Sequence, residues 1–224
     1  LAVRIAGEAD RGVPVVLVHG MASDHSTWRR LATALRARGR AVISVDLRGH
    51  GRSGRAREVY RLDDFRDDLA YVLDTLGIAV ADVVGHSLGG WIAAELAARN
   101  TRRLASLTLV CSAGIHVKGV PQVDTFLLSD EQQVRAMYDD QKFADETLKR
   151  LQEPGLEDVL LKNRATTAKL IWQPRAYDPH LAKWLHRIDV PTLLLWGAND
   201  KLFPKDYAFA FQKLIPGSSV AVIP

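Results

Sequence analysis

A single cysteine, Cys111, stands among 224 residues, so an internal disulfide framework is excluded. It follows the apolar run Leu107-Thr108-Leu109-Val110 and reads as a buried strand-end thiol. No apolar run approaches the roughly 18 residues that a membrane span needs, and no secretory signal is visible. The chain opens on Leu1 with no methionine, which leaves room for a preceding segment; a cytoplasmic location is the default expectation. Charge of one sign is also scarce, since 30 basic and 26 acidic residues leave a net +4. Much of the surplus is arginine between Arg29 and Arg40 and between Arg48 and Arg61. No basic face interleaved with aromatics accompanies it, so neither nucleic acid nor membrane is an expected partner. There is no Walker A sequence, no Gly-x-Gly-x-x-Gly after a strand and no His/Cys metal spacing. No cofactor and no metal are expected.

What is present is an ordinary soluble composition, 47% hydrophobic and 25% charged, in a length that suits one domain with a sizeable core and room for an inserted subdomain. Leu1 to Ile5 alternates loosely and reads as a strand whose hairpin partner lies upstream. Val15 to Val18 is apolar throughout, as a parallel strand buried on both faces is. It ends in His19-Gly20-Met21-Ala22-Ser23. Ser26 to Arg38 has Trp28, Leu31 and Leu35 at helical spacing. Ala41 to Val45 is a strand that ends in Asp46-Leu47-Arg48-Gly49-His50-Gly51-Arg52-Ser53. Leu62 to Leu76 is a helix with Leu62, Phe65, Leu69, Val72, Leu73 and Leu76 on one stripe. Ala81 to Val84, Leu104 to Cys111, Val190 to Trp196 and Ser219 to Ile223 are further strands, and Pro204 to Ile215 is a helix.

The alternation β-α-β-α predicts an α/β fold, a mostly parallel sheet with helices on both faces. Sites in such sheets lie beyond the carboxyl ends of the strands, where the Gly- and His-containing turns fall. Residues 1–112 and 188–224 form the expected core. Residues 113–187 contain no clear strand and read as a helical cap over the rim; a side-packed helical subdomain is the alternative. Its pieces are Ser129 to Tyr138, Ala144 to Leu151, Leu156 to Leu170 and Pro179 to His186.

Gly85-His86-Ser87-Leu88-Gly89-Gly90 stands between a strand and a run of small and apolar residues. A serine on a sharp strand-to-helix turn has the form of a nucleophile elbow, in which glycines permit close approach and the helix N-terminus faces developing negative charge. The bland alternative is a glycine-rich turn with an idle serine.

Together with His19-Gly20, the turn from Asp46 to Ser53, and Trp196-Gly197-Ala198-Asn199-Asp200 with Pro204, this stretch resembles the α/β-hydrolase family, in the family's order and over nearly the whole chain. The resemblance implies Ser87 as nucleophile, Asp200 as the triad acid, and the backbone N–H groups of Met21 and Leu88 as the oxyanion hole. Asp200 also admits a plainer role as a carboxylate at a helix N-terminus. Asp46 is implied to shape a turn. The family's catalytic histidine follows the last strand; none stands there before Pro224, and it is expected just after that residue. Gly20, His25, Trp91 and Trp172 are the candidate pocket residues. The expected function is hydrolysis of small to medium apolar carboxylic esters through an acyl-enzyme, with a small-molecule ester or related carbonyl compound as substrate. Hydrolysis of a C–C bond beside a ketone or of an enol-lactone stays open, because Asn163 to Trp172 is similar to cap segments of enzymes of aromatic degradation. So does a non-catalytic binding protein of this fold.

Overall fold

The computed structural model describes residues 1–7, 12–56 and 60–224. Arg57, within the second arginine stretch, lies outside them. The sheet strands are β1 (Ala2–Ala6), β2 (Val15–Val18), β3 (Val42–Asp46), β4 (Ala81–His86), β5 (Leu104–Val110), β6 (Thr192–Gly197) and β7 (Ser219–Ile223). Their spatial order is β1-β3-β2-β4-β5-β6-β7. All neighbours are parallel except β1, which runs antiparallel along β3.

The helices are α1 (Arg29–Ala37), α2 (Leu62–Thr75), α3 (Leu88–Arg99), α4 (Asp130–Met137), α5 (Gln141–Leu151), α6 (Glu157–Ile171) and α7 (Asp206–Leu214). Strand alternation sorts the core into two faces. Val16, Val18, Ile43, Val45, Val83, Leu107, Leu109, Leu194 and Trp196 share one buried cluster with α2, α3 and α7. Val15, Leu17 and Val42 form a smaller cluster with Trp28, which α1 partly covers. On this second face Val84, Thr108, Leu193 and Leu195 are only partly buried among the described residues. The three-residue stripe read for the first helix is therefore only partly used: Trp28 is buried and Leu31 is exposed.

Between β5 and β6 the described chain is helical, α4 to α6 followed by two short 3-10 turns, Leu181–Lys183 and Leu185–Arg187. Those turns replace the single helix expected from Pro179 to His186. Leu181 and Leu185 are fully buried in the main core, so tertiary packing decides the backbone there. None of the described helices is long and apolar enough to cross a membrane.

After β2 the chain moves to β3 on one side, then crosses to β4 on the other. The crevice between the ends of β2 and β4 is thus the switch point of the sheet, where open α/β sheets bind ligands. Val18 is paired with Gly85 there, so the turns that follow meet across it.

Phe65 is fully buried between α2 and the sheet, beside Tyr60 and under the Arg48 guanidinium. Phe65→Ala is expected to cost about 3–5 kcal/mol, read as a lowered denaturation midpoint in urea with an unchanged slope. A loss below about 1 kcal/mol would contradict this account of the core.

Candidate active site

Ser87 joins β4 to α3 with φ 52° and ψ −115°. A non-glycine residue in such a conformation costs on the order of 1–3 kcal/mol and persists only where its surroundings enforce it. Here its N–H donates to the Val110 carbonyl (3.0 Å), while its own carbonyl accepts from Trp91 N–H and Ala113 N–H (both 3.1 Å). Every residue of α3 from Leu88 to Ala98 is buried, so the helix is seated on all sides with its N-terminus at Ser87. A Cβ on Gly89 would lie 2.2 Å from the Val18 carbonyl oxygen. Only glycine lets α3 start this close to β2.

Across the switch point, β2 runs into His19-Gly20-Met21-Ala22. A Cβ on Gly20 would meet His86 Nδ1 at 2.9 Å and Ser87 Cβ at 3.2 Å; the turn lies directly on the elbow. His19 is fully buried. Its Nδ1 is 2.8 Å from the Gly20 carbonyl and its Nε2 is 3.0 Å from Leu47 N–H. A carbonyl only accepts and a backbone N–H only donates, so His19 is neutral with its proton on Nδ1. Burial holds its pKa below the usual imidazole value. The Gly20 C=O and the Met21 N–H belong to one planar peptide, so gripping the oxygen fixes the direction of the N–H. Neither Met21 N–H nor Leu88 N–H donates to another of the described residues. These are the two donors proposed for an oxyanion.

Asp46 is 1% exposed at the end of β3. It accepts from His25 N–H (2.7 Å), the His25 ring (2.8 Å) and Arg52 N–H (2.9 Å). Burial alone would raise its pKa, but these hydrogen bonds outweigh burial and hold it below the ordinary carboxylate value. Asp46 thus ties the 46–53 turn to the loop carrying His25. His25, expected to line the pocket, is instead engaged with this carboxylate. Asp24, His25 and Asp46 bring one ligand atom each within 4.8 Å of the others. Asp24 accepts from Ser26 N–H, so both carboxylates already serve protein donors.

Asp200 lies just past β6. Its Oδ1 accepts from Leu202 N–H and Phe203 N–H, both at 2.9 Å, which orders the turn ahead of α7. Ala198 N–H donates to the Ile223 carbonyl (2.7 Å), so the chain leaving β7 passes the Asp200 turn. Cys111, at φ 43°, is beside it: burial first, then the Asp200 charge, pushes the thiol up to about 12. It is a thiol, not a thiolate, at neutral pH.

The pocket residues read from the sequence separate in space. Met21 lines a small cavity with Phe126, Ile171, Arg175, Leu202 and Phe203. Trp91 is 4% exposed and packs in the core, where a Cβ on Gly114 would touch its ring; four residues past Ser87 on a helix buried all round, it points inward. Trp172 is 58% exposed. Its ring stacks under the Arg175 guanidinium (4.2 Å) and meets Phe126 edge-on, and Arg175 in turn pairs with Asp124 (3.2 Å). Arg164 pairs with Asp130 in a separate groove between α4, α5 and α6. Among the described residues no histidine is hydrogen-bonded to Ser87 or Asp200. His86, next to the serine, packs edge-on against Trp28. The sequence reading missed Thr167 and Asn163, whose signal was limited to polar residues four apart on α6.

The family described as "alpha/beta hydrolase fold" matches residues 13–169. The chain belongs to this family. Among curated proteins, this α/β-hydrolase chain is 30% identical to a dihydrolipoyllysine-residue acetyltransferase component of the acetoin cleaving system of Pseudomonas putida, over 95% of the chain and 58% of that protein. It is 27% identical to lipase 1 of Psychrobacter immobilis, over 95% of the chain and 70% of the lipase. The chain thus spans under two thirds of the first of these relatives. Among solved structures it superposes on the enol-lactonase of Burkholderia xenovorans LB400 with a TM-score of 0.78 at 23% identity, over 99% of the chain and 87% of that one. That likeness shows the fold.

Two buried histidines at this rim, His19 and His50, and the half-buried His86 have pKa values lowered by desolvation, His50 from 6.5 to about 3. Between those two values the unfolded chain binds the His50 proton and the folded chain does not. Folding stability is therefore expected to fall as the pH drops below about 6.5, by roughly 1.4 kcal/mol per pH unit for His50, with His19 and His86 acting in the same direction. Denaturant titrations from pH 7 to pH 4 check this; a stability flat down to pH 5 would contradict it.

Proposed function

We propose that this α/β-hydrolase is a serine esterase that cleaves small to medium apolar carboxylic esters through a covalent acyl-enzyme. The observation that carries the reading is the strained Ser87 turn lying, across the switch point, against the turn whose Gly20 carbonyl His19 grips. In the reaction Ser87 Oγ attacks the ester carbonyl and gives its proton to a base. The oxygen that becomes negative is met by the Met21 and Leu88 N–H groups at the start of α3, where the helix dipole also favours negative charge. Collapse expels the alcohol, which takes the proton from the base. Water, activated by the same base, then releases the acid.

For the base we propose a histidine following β7, oriented by the second oxygen of Asp200. The bond between Ala198 and Ile223 supports this by bringing the chain past the Asp200 turn. An apolar acyl group is supported by Met21, Phe126, Ile171, Leu202 and Phe203 around the adjoining cavity. Among the described residues the cation on that lining, Arg175, is matched by Asp124. The cap stretch that resembles enzymes of aromatic degradation uses Asn163, Thr166 and Thr167 on core turns and Arg164 on Asp130. Nothing in its placement favours C–C or lactone cleavage over ester cleavage.

On the full-length protein, a fluorophosphonate probe is expected to form one adduct, absent in Ser87→Ala. Hydrolysis of 4-nitrophenyl butyrate is expected to fall by about 10⁴-fold or more in Ser87→Ala, and by about 10⁴-fold in Asp200→Asn if Asp200 orients the base. Esterase activity that survives Ser87→Ala would refute the reading.

A further inference from the structure

Helix α6 carries polar residues that the chemistry above does not use. Asn163, Thr166 and Thr167 fall on one face at i, i+3 and i+4. Asn163 is fully buried, and Thr166 and Thr167 are 3% and 9% exposed. Buried polar groups need partners. The partners here are not in the cap. They belong to the two turns at the rim of the sheet, more than a hundred residues away in sequence.

Asn163 donates to the Ser23 carbonyl (3.1 Å) and accepts from Gly51 N–H (3.0 Å). Thr166 donates to the Gly49 carbonyl (3.0 Å). Thr167 Oγ1 accepts from Ala22 N–H at 3.0 Å and lies 3.3 Å from His50 Nε2. His50 Nδ1 faces the Arg48 carbonyl (3.1 Å), so that nitrogen carries the proton and Nε2 accepts. The Thr167 hydroxyl must then donate to His50, with an oxygen lone pair left for Ala22. Both of its roles are fixed by its neighbours.

Ala22 has φ 52°, a left-handed conformation that an alanine adopts only where its neighbours hold it there. Its N–H begins the next peptide after Met21. His19 holds the peptide before Met21 by its oxygen, and Thr167 holds the peptide after it by its nitrogen. The candidate oxyanion donor is therefore clamped on both sides, once from the core and once from the segment between β5 and β6.

We propose that Thr167 is a positioning residue for the oxyanion turn, so that Met21 N–H is aimed while the Thr167 hydroxyl holds Ala22 N–H. The inference rests on the reading of Met21 as an oxyanion donor. It makes the cap helix part of the catalytic scaffold as well as a wall of the pocket.

The test compares Thr167→Val, which keeps shape and removes both hydrogen bonds, with Thr167→Ser, which keeps the hydroxyl, and with Thr166→Val, which frees a neighbouring anchor outside the oxyanion turn. All are made in the full-length protein and assayed on 4-nitrophenyl butyrate, with amide hydrogen exchange at Ala22 as a second readout. The expected result for Thr167→Val is a kcat about 10- to 100-fold lower with KM changed less than about threefold, because the interaction matters in the transition state. Ala22 exchange should also quicken at least about tenfold. Thr167→Ser should recover kcat to within about threefold, and Thr166→Val should stay within about threefold of the parent. Should Thr167→Val fail to fold, Thr167→Ala against Thr167→Ser makes the same comparison. A Thr167→Val enzyme within twofold of the parent would overturn the inference and leave the esterase reading standing. So would a serine variant as slow as the valine one, or an equal loss in Thr166→Val. A parent with no Ser87-dependent turnover would overturn the esterase reading, and this inference with it.

Discussion

The left-handed backbone of Ser87 sets the terms for everything around it. A serine does not keep φ 52° on its own account, so β5, the loop after it and α3 hold it with three backbone hydrogen bonds. Holding it requires α3 to start against β2, which only a glycine at position 89 permits. Once α3 is there, strands, α2 and the loop after β5 surround it, so it is built of small and apolar residues, and its buried Glu95 is paired with Arg99 at 3.3 Å. The composition of the helix, with its alanines, Trp91 and Ile92, follows from the position of one residue at its start.

The same economy governs the opposite turn. His19, Asp46 and Gly20 place no reactive group in the crevice. They fix the Gly20–Met21 peptide, knot the 46–53 turn, and let the two turns touch. Each polar group that does this is buried and satisfied, and the histidines are held neutral by burial. The rim is therefore rigid at neutral pH and acid-sensitive for the same reason. Preorganised donors are useful to catalysis only when they need not be reorganised during the reaction. A rim tied by side chains from β2, β3 and α6 meets that condition.

Much of this could be read from the chain. The strand-turn-helix around Ser87 has strong local signals, a short apolar run, three glycines and a helix of small residues. The alternation of elements fixes the parallel sheet, and the sheet fixes which ends carry the site. Other features depend on what packs where. Trp28, Leu31 and Leu35 have helical spacing, yet α1 covers only a small cluster on β2 and β3, and Leu31 stays exposed. Trp91 lies one turn past the serine, which suggests the pocket; on a helix buried all round, no periodicity tells which side is the rim. His25 close to the turn from His19 to Ala22 suggests the pocket too, but a buried carboxylate 21 residues away takes its ring. Thr167 meets Ala22 across 145 residues, and no local pattern encodes that pairing.

The central claim is that Met21 and Leu88 present the N–H groups that meet the charged oxygen on Ser87. The most direct measurement is a crystal structure of the full-length protein with Ser87 phosphonylated, a stable mimic of the tetrahedral intermediate. The account predicts one phosphoryl oxygen within about 2.7–3.1 Å of both backbone nitrogens, with the Gly20 carbonyl still on His19. A phosphoryl oxygen turned away from Met21, or a Gly20–Met21 peptide flipped to do without His19, would contradict it.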